Sequence, residues 1–255
     1  MSSDKPIGIN YQEPPVILIE DLHKAFGSNR VLRGFNLKLW AGENLAVMGK
    51  SGSGKSVLIK CIIGLMPIDQ GRLIVLQRDI SETRHHELDL LRTQVGFQFQ
   101  GSALYDSMTV RENLEFPLRR HLERKIPEPE INSLVHEALE AVGLLYSIDM
   151  LPAELSGGMK KRIALARTLI MRPKIILYDE PTSGLDPVTA KEISQLIIEV
   201  QQRYNTAAII ITHDLACARI ASNRMIILND GVNYAESSYD ELAKMKDTVV
   251  QAFFE

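Results

Sequence analysis

Two hydrophobic patterns alternate along the chain, and together they predict an α/β fold. Short apolar runs at residues 45–48, 175–178 and 207–211 are flanked by polar residues or glycine, which is typical of buried strands in a parallel sheet. Longer segments at residues 128–142 and 188–204 carry apolar residues at intervals of three and four. That spacing predicts helices with one buried face.

A different pattern precedes these elements. Residues 16–19 are apolar, and apolar residues alternate with polar ones through residues 31–39. Alternation with a period of two predicts strands of a small antiparallel layer. Residues 24–27 are interpreted as a tight turn between these strands. Residues 1–15 are rich in proline and are predicted to form a flexible leader.

The middle of the chain is predicted to be helical. Thr109 and Glu112 have the spacing of a capping box, which predicts a helix that starts after Thr109 and breaks before Pro117. A second predicted helix, at residues 128–142, is closed by a glycine. We therefore expect residues 101–155 to form a helical subdomain.

One domain is predicted to span residues 16–245, with its core built from residues 16–100 and 156–245. The helical subdomain is inserted between these two parts of the core. Residues 246–255 contain apolar side chains after the predicted end of the domain, and they are interpreted as a C-terminal tail that is available for docking.

Residues 49–56 have the spacing G-x-x-x-x-G-K-S and lie between an apolar run and a helix-forming run. Their glycines allow positive φ angles that turn backbone N–H groups inward, and the following helix directs its positive end toward a bound anion. Lys55 is expected to reach the β- and γ-phosphates, and the Ser56 hydroxyl to contact Mg²⁺. A Gly/Ser-rich turn without a ligand is the alternative. The predicted nucleotide-binding residues are Gly49, Lys50, Ser51, Gly52, Ser53, Gly54, Lys55, Ser56 and Val57.

Two predicted strands end in candidate catalytic residues, which we expect at one edge of the sheet. Asp179 and Glu180 follow one apolar run, and His213 follows another. Successive strand residues point to opposite faces, so the two carboxylates cannot share a role. Asp179 is expected to contact Mg²⁺, Glu180 to orient or deprotonate a water, and His213 to hydrogen-bond a γ-phosphate. An acidic loop start and a structural histidine are the alternatives.

Two further features each have a functional and a structural interpretation. Ser156, Gly157, Gly158 and Met159 stand at a predicted helix start, where exposed N–H groups and a hydroxyl favour a second phosphate site. The structural interpretation is an ordinary serine cap. Phe26 is a candidate for stacking on a nucleobase, and the alternative is an aromatic ring packed in the core.

Composition narrows the possible functions. With 255 residues and 45% apolar content the chain can bury a full core, and its net charge of −3 indicates no nucleic-acid partner. Cys61 and Cys217 are the only cysteines and lie in apolar stretches, which indicates a reducing compartment. No run approaches the ~18 apolar residues that span a bilayer. We therefore expect any membrane process to be served from the cytoplasm through a partner protein.

The order of these motifs resembles that of ABC-type ATPases over residues 16–245. Residues 49–56 are similar to the Walker A motif and Gln100 to the Q-loop. Residues 155–159 are similar to the signature motif and residues 175–180 to the Walker B motif. Residues 183–186 are similar to the D-loop and His213 to the H-loop. The resemblance implies an α/β fold with a RecA-like, mostly parallel P-loop sheet, an N-terminal antiparallel β layer and an inserted α-helical subdomain. It also places Phe26 where this family has an aromatic residue that stacks on adenine.

The resemblance implies roles for the candidate residues, with ATP and Mg²⁺ as ligands. Ser56, Gln100 and Asp179 would contact the metal ion. Glu180 would be the general base, and Gln100 and His213 would complete the catalytic group.

The resemblance also implies a homodimer of two copies that face head to tail. Ser156, Gly157, Gly158 and Met159 of one copy would complete the ATP site of the other, next to the D-loop residue Asp186. One chain would then need two phosphate-type helix starts because each serves a different nucleotide.

A narrower resemblance is to the ATPase subunit of Mce-type (Mla-like) lipid transport systems. It is carried by residues 99–110, 112–118 and 177–187, by Met159 and by the Phe-containing tail. It implies an integral membrane permease, a Mce-domain lipid-binding protein and phospholipid movement between membranes. The chain would lie at the cytoplasmic face of the inner membrane, peripheral through the permease, and residues 101–118 would meet that permease.

Other functions remain open at this point. The chain fits an importer or exporter ATPase for another substrate. A soluble ABC ATPase of DNA repair or translation usually has two cassettes or a long coiled-coil insertion, and neither occurs here. A P-loop kinase or GTPase would have no use for residues 155–159, and the chain lacks a guanine-reading Asn-Lys-x-Asp motif.

Overall fold

The computed structural model describes residues 9–121 and 126–254, and it confirms the predicted α/β class. Its strands form one antiparallel sheet and one mostly parallel sheet. The strands are β1 Ile17–Phe26, β2 Asn29–Leu39, β3 Asn44–Met48, β4 Gln70–Val75, β5 Arg78–Asp79, β6 Val95–Gln98, β7 Ile175–Asp179, β8 Ala207–Ile211, β9 Arg224–Asn229 and β10 Val232–Ser237.

Helices cover the two sheets and fill the segment between β6 and β7. They are α1 Lys55–Ile62, α2 His85–Gln94, α3 Val110–His121, α4 Glu128–Ala141, α5 Gly157–Leu169, α6 Pro187–Tyr204, α7 Leu215–Ala221, α8 Tyr239–Lys244 and α9 Thr248–Gln251. Two short 3-10 helices, Leu145–Ser147 and Pro152–Glu154, lie between α4 and α5.

The antiparallel sheet has the strand order β2-β1-β4-β5 and is the predicted N-terminal layer. The predicted tight turn at residues 24–27 is wrong, because β1 continues through Phe26, which pairs with Asn29. Asp69 supports this extension: its carboxylate accepts hydrogen bonds from Lys24 Nζ at 2.6 Å and from the Ala25 backbone N–H at 2.7 Å. The reversal of the chain lies at Gly27 and Ser28.

The parallel sheet has the strand order β10-β9-β3-β8-β7-β6, and only β10 is antiparallel to its neighbour. Every residue of β3 and β8 is buried, as expected for strands covered by helices on both faces. β8 lies between β3 and β7, so the loops that follow Met48, Asp179 and Ile211 leave the sheet at one edge. This edge positions the candidate site.

Two predictions were made for helix α3, a capping box at Thr109 and Glu112 and a break before Pro117. The capping box is confirmed, since the Glu112 N–H donates to Thr109 Oγ1 and the Thr109 N–H donates to Glu112 Oε2. The break before Pro117 is wrong, because α3 continues to His121. An interior proline costs about 3 kcal/mol. Burial of Leu118 beyond it, at 3% exposure, contributes about 1.5–3 kcal/mol and offsets most of that cost.

The segment between β6 and α5 contains only helices and loops among the residues described. Its helices α3 and α4 share one hydrophobic cluster with α5 and α6. This cluster continues into the sheet through Ile176 and Tyr178. The boundaries of the helical subdomain at residues 101 and 155 therefore stay predictions, as do those of the domain at residues 16 and 245.

The two ends of the chain pack on the domain where they are described. Val250 in α9 is fully buried in a cluster with Met48 and Met225, so the segment interpreted as a C-terminal tail available for docking packs on the domain of its own chain. The Tyr11 ring meets the Trp40 ring edge to face at a centroid distance of 4.9 Å. Residues 1–8 of the predicted leader lie outside the described residues. No helix in the described ranges is long and apolar enough to cross a bilayer.

Candidate nucleotide-binding site

The loop between β3 and α1 has the geometry of an anion cradle. A Cβ atom added at Gly49 would lie 2.5 Å from Ser53 Oγ and 2.7 Å from the Leu228 carbonyl oxygen, so only glycine fits there. Gly54 precedes α1 with a φ of 107°, which lets the backbone turn into the helix. Lys55 Nζ donates hydrogen bonds to the Gly49 and Lys50 carbonyls at 2.7 and 3.2 Å. The loop is thus wrapped around an ammonium group.

This loop forms one wall of a cavity of about 780 Å³. The opposite wall comes from the ends of β6, β7 and β8, so residues far apart in sequence meet at the predicted sheet edge. The lining residues are Val31, Met48, Gly49, Lys50, Ser51, Gly52, Gly54, Lys55, Ser56, Val57, Gln100, Asp179, Glu180, His213, Ala252 and Phe253.

The chemistry of these residues fits a nucleoside triphosphate. The positive end of α1 and the Lys55 ammonium provide positive potential for phosphate groups. Burial lowers the pKa of Lys55, and the carboxylates of Glu180 and Asp179 oppose this shift. Ser53 Oγ is buried and finds no hydrogen-bond partner among the described residues, which leaves a donor for an anion.

The donor set also fits Mg²⁺. Among the described residues, no group of three or more His, Cys, Asp or Glu side chains is arranged so that it could hold a metal ion by itself. The cavity instead offers the Ser56 hydroxyl and the Asp179 carboxylate. Mg²⁺ typically binds one or two protein oxygens together with substrate phosphates and water, so two such ligands are sufficient.

Asp179, Glu180 and His213 form an acidic edge opposite the loop. Glu180 Oε2 lies 2.7 Å from His213 Nδ1 and accepts the His213 backbone N–H at 3.3 Å. The Glu180 side chain is 13% exposed, whereas that of His213 is 70% exposed. Burial and the adjacent Glu180 carboxylate raise the pKa of Asp179, and nearby lysines oppose this shift. A cation bound at Asp179 would keep this carboxylate ionised.

Gln100 lines the same cavity from the end of β6. Its Nε2 donates a hydrogen bond to Ser183 Oγ at 3.1 Å, which links the predicted Q-loop to the predicted D-loop. Asp186 of that D-loop caps α6: its Oδ1 accepts the N–H groups of Val188 and Thr189 at 3.0 and 3.1 Å. Asp186 does not line the cavity.

The second predicted phosphate site lies elsewhere. Ser156 is the N-cap of α5, and its Oγ accepts the Met159 N–H at 3.2 Å. Ser156 and Gly157 are exposed, and none of the residues 156–159 lines the cavity. The helix start is therefore confirmed, but within one chain it does not meet the nucleotide cavity.

Phe26 is 48% exposed, which excludes the interpretation of a core aromatic. Its ring lies 5.8 Å from Lys24 Nζ and does not line the cavity. Stacking of Phe26 on adenine stays a prediction.

Lys161 was missed by the sequence analysis, which assigned no role to it. This lysine is 5% exposed, and its Nζ donates hydrogen bonds to the carbonyls of Gln100 and Glu180. The burial of Lys161 could have been predicted from helical periodicity, because Leu165 and Leu169 lie four and eight residues after it and are both buried. Lys161 lies on that buried stripe.

Comparison with known proteins identifies the family. A model described as ABC transporter matches residues 32–183, which include the loop at 49–56, Gln100 and the acidic pair. The chain belongs to the ABC transporter family. It is an ATPase cassette of that family, with ATP as its nucleotide and Mg²⁺ as the partner ion.

Relatives carry different functional names. The cassette is 42% identical over 212 residues to the probable ribonucleotide transport ATP-binding protein mkl of Mycobacterium leprae, covering 83% of this chain and 60% of the relative. Identity is 35% with the methionine import ATP-binding protein MetN of Campylobacter jejuni, over 94% of this chain and 77% of MetN. The protein trigalactosyldiacylglycerol 3 of Arabidopsis thaliana is 34% identical, over 98% and 76% of the two chains. The chain thus spans about three fifths of the mkl protein.

Solved structures show the same cassette. The ATP-binding cassette MJ0796, described as a dimer in a post-hydrolysis state bound to ADP and Pi, has a TM-score of 0.79 and 30% identity, covering 88% of this chain and 98% of its own. The cbiO1 protein of Clostridium perfringens, described as part of the ABC transporter complex cbiONQ, has a TM-score of 0.85 and 29% identity, covering 95% and 96%.

Proposed function

We propose that the cassette works as a head-to-tail homodimer that hydrolyses ATP to drive a membrane permease, with a phospholipid as the transported substrate. The observation that carries the proposal is the separation of two phosphate-type helix starts. The start of α1 lines the nucleotide cavity, whereas the exposed start of α5 does not. A second copy can supply its α5 start to the open cavity. The description of MJ0796 as a dimer supports this arrangement.

The residues of the cavity divide the work of hydrolysis. Lys55 and the loop N–H groups would hold the phosphates, and Ser56, Asp179 and Gln100 would hold Mg²⁺, which when bound would supply positive charge next to the phosphate oxygens. The α5 start of the partner, at Ser156, closes the site over the γ-phosphate.

Glu180 is proposed as the general base. It lies at the cavity wall and is mostly buried, and its contact with His213 at 2.7 Å fixes the direction of its carboxylate. A carboxylate in this position can accept a proton from the attacking water. His213 has its exposed side available for the γ-phosphate.

Replacement of Ser156 by Arg tests the shared site. The bulky cation at the α5 start should block closure of the dimer and lower ATPase activity by on the order of 100-fold, because the partner's phosphate donors are lost. ATP affinity of the monomer should stay within about threefold, since Ser156 does not line its own cavity. Phosphate release and nucleotide titration measure the two quantities.

Ser133→Arg is the matched control, because Ser133 is an exposed helical serine on α4. This variant should hydrolyse ATP at the parent rate. Parent-level hydrolysis by Ser156→Arg would contradict the shared site.

A groove on the helical side supports docking of a permease. Its volume is about 600 Å³, and it is lined by β6, by the ends of α1 and α2, by α5 and by four residues of the segment 101–118 that was predicted to meet the permease. Leu65, Phe99 and Tyr105 are 56, 46 and 44% exposed and give the groove an apolar surface. Exposed apolar grooves of this kind mark protein-binding sites. The proposed occupant is a cytoplasmic helix of the permease.

Leu65→Glu tests the groove. A charge in the apolar surface should weaken permease binding by about 10-fold or more, because the carboxylate loses water without gaining a partner. The measurement is co-purification of a multi-span membrane protein from solubilised membranes. Tyr146→Glu is the control, since Tyr146 is 69% exposed and lies outside the groove. Equal recovery with both variants would argue against docking at the groove.

The phospholipid substrate rests on the resemblance to Mce-type ATPases and on one relative whose name is that of a glycerolipid. The same resemblance supports a Mce-domain partner and a location at the cytoplasmic face of the inner membrane. Transfer of a labelled phospholipid between vesicles by the purified complex, dependent on ATP and on Glu180, tests the substrate. Transport of methionine or a ribonucleotide instead would favour the second candidate, an importer like the relatives bearing those names.

A further inference from the structure

Lys161 connects the loop that follows the edge strand β6 with the loop that follows its neighbour β7. Its side chain leaves the second turn of α5 and is 5% exposed. Nζ donates a hydrogen bond to the Gln100 carbonyl and a second one, of 3.3 Å, to the Glu180 carbonyl. These carbonyls follow β6 and β7, so a single ammonium holds both loops that carry proposed active-site side chains.

A buried ammonium at this position is costly. An ion loses its hydration in a protein interior, and only well-placed hydrogen-bond partners offset that penalty. Burial lowers the pKa of Lys161, and the carboxylates of Asp179 and Glu180 oppose this shift at longer range. Within the described residues no carboxylate lies within ion-pair distance of Nζ. The lysine is therefore committed to the two backbone carbonyls.

The contact with Glu180 holds a backbone conformation that is unusual for this residue. Glu180 has a φ of 50°, in the left-handed region, which is unfavourable for a non-glycine residue and persists only where surrounding contacts hold it. Its N–H donates to the Ile211 carbonyl at 2.9 Å, and its own carbonyl accepts from Lys161. The peptide groups before and after Glu180 are thus both held by hydrogen bonds, and the carboxylate is directed toward His213.

The backbone of Lys161 is also tied to the sheet. Gln98 Nε2, which belongs to β6 and is buried, donates to the Lys161 carbonyl at 3.1 Å. Five residues earlier, the same stretch of chain begins α5 with the exposed cap Ser156. A displacement of the α5 start is therefore transmitted through Lys161 to Gln100 and Glu180.

We propose that Lys161 is a positioning residue that couples the start of α5 to the general base Glu180 and to Gln100. The inference rests on the proposed function, in which the α5 start of each copy contacts the nucleotide held by the other copy. Docking of α5 on the partner's nucleotide then aligns the base in the same chain, so that the two sites respond to one another. Lys161 itself touches neither nucleotide nor metal ion.

Lys161→Met is the first test, because methionine keeps the length and volume of the side chain and removes its donors. We expect kcat for ATP hydrolysis to fall about 10- to 100-fold, since a misplacement of the base by about 1 Å has an effect of that order. The KM for ATP should change less than about threefold, because the binding loop is untouched. A role limited to stability would not separate kcat from KM in this way.

Lys161→Gln is the second variant, because its amide can donate to one carbonyl without a charge. Its kcat should lie between those of the parent and the Met variant. Lys174→Met is the control for loss of a lysine, because Lys174 is exposed and lies outside the cavity. If the Met variant unfolds at the assay temperature, the Gln variant decides: an intermediate kcat supports positioning, and a parent-level kcat overturns it.

Glu180→Gln, assayed in parallel, separates this inference from the proposed function. If Glu180→Gln is inactive and Lys161→Met hydrolyses ATP at the parent rate, only the positioning role fails. If Glu180→Gln itself hydrolyses ATP at the parent rate, the assignment of Glu180 as the general base is wrong. In the double variant that combines Lys161→Met with Glu180→Gln, dimer formation with ATP should persist. Loss of the dimer would show that Lys161 acts in binding rather than in positioning.

Discussion

Replacing Glu180 by Gln should lower kcat for ATP hydrolysis by about 10²- to 10⁴-fold, the range typical of a lost general base. Glutamine has the same size and can still meet His213, but it cannot accept a proton from water. ATP affinity should be retained or increase slightly, because a negative charge near the γ-phosphate is removed. The ATP-bound dimer should therefore accumulate, and its doubled mass can be measured by size-exclusion chromatography with light scattering.

Glu199→Gln is the control for this prediction. Glu199 is an exposed residue on the outer face of α6, so the same change there should leave kcat and the monomer mass unaffected. Turnover by Glu180→Gln at the rate of the control would remove the case for a carboxylate base. An inactive variant that stays monomeric with ATP and Mg²⁺ would instead count against the composite site.

Lys55→Ala should weaken ATP binding on the order of 100-fold and abolish measurable hydrolysis at cellular ATP concentrations. Charged hydrogen bonds are worth about 1.5–3 kcal/mol each, and the ammonium is the positive side chain of the phosphate-binding loop that points inward. The loop also loses the two hydrogen bonds by which Lys55 holds the Gly49 and Lys50 carbonyls. Calorimetric titration with ATP and Mg²⁺ measures the affinity.

Lys38→Ala serves as the matched lysine variant, because Lys38 is exposed on β2 and lies outside the cavity. It should bind ATP like the parent chain. Equal thermal unfolding midpoints for both variants would show that the loss at Lys55 is local. ATP affinity of Lys55→Ala within about threefold of the parent would contradict the assignment of the loop.

The two experiments probe different halves of the mechanism. In the proposed mechanism, Lys55 acts within one chain, whereas the effect of Glu180 depends on closure by a second copy. Lys161 connects these halves, since it reaches from the helix that begins at Ser156 to the carbonyl of Glu180. A dimer in which each copy aligns its own base on docking would hydrolyse ATP in both sites in a concerted manner.

Local sequence patterns were sufficient for much of the site. Residues 49–56 encode their own loop, because glycine spacing and a following helix determine φ angles and dipole direction without distant contacts. The buried strands before Asp179 and His213 were also evident, since continuous apolar runs belong to strands covered on both faces. Their meeting at one edge follows from the parallel arrangement of β3, β8 and β7.

Other features were mispredicted because distant contacts override local preference. A proline ends most helices, yet the packing of α3 against α4 and α5 allows this helix to continue past Pro117. Phe26 was placed in a turn, but pairing with β2 and the Asp69 hydrogen bonds keep its strand extended.

The sequence by itself determined the nucleotide-binding loop, the strands that deliver the carboxylates and the family of the protein, because these depend on short local motifs and on the order of those motifs along the chain. Only the tertiary structure decided the partners of Lys161 and the separation of the α5 start from the cavity of its own chain. These depend on how separate elements pack together, since Lys161 lies 61 residues from Gln100 and 19 residues from Glu180 along the chain. A local pattern indicates which secondary structure each element prefers, but it does not indicate how far apart two elements lie in the folded chain.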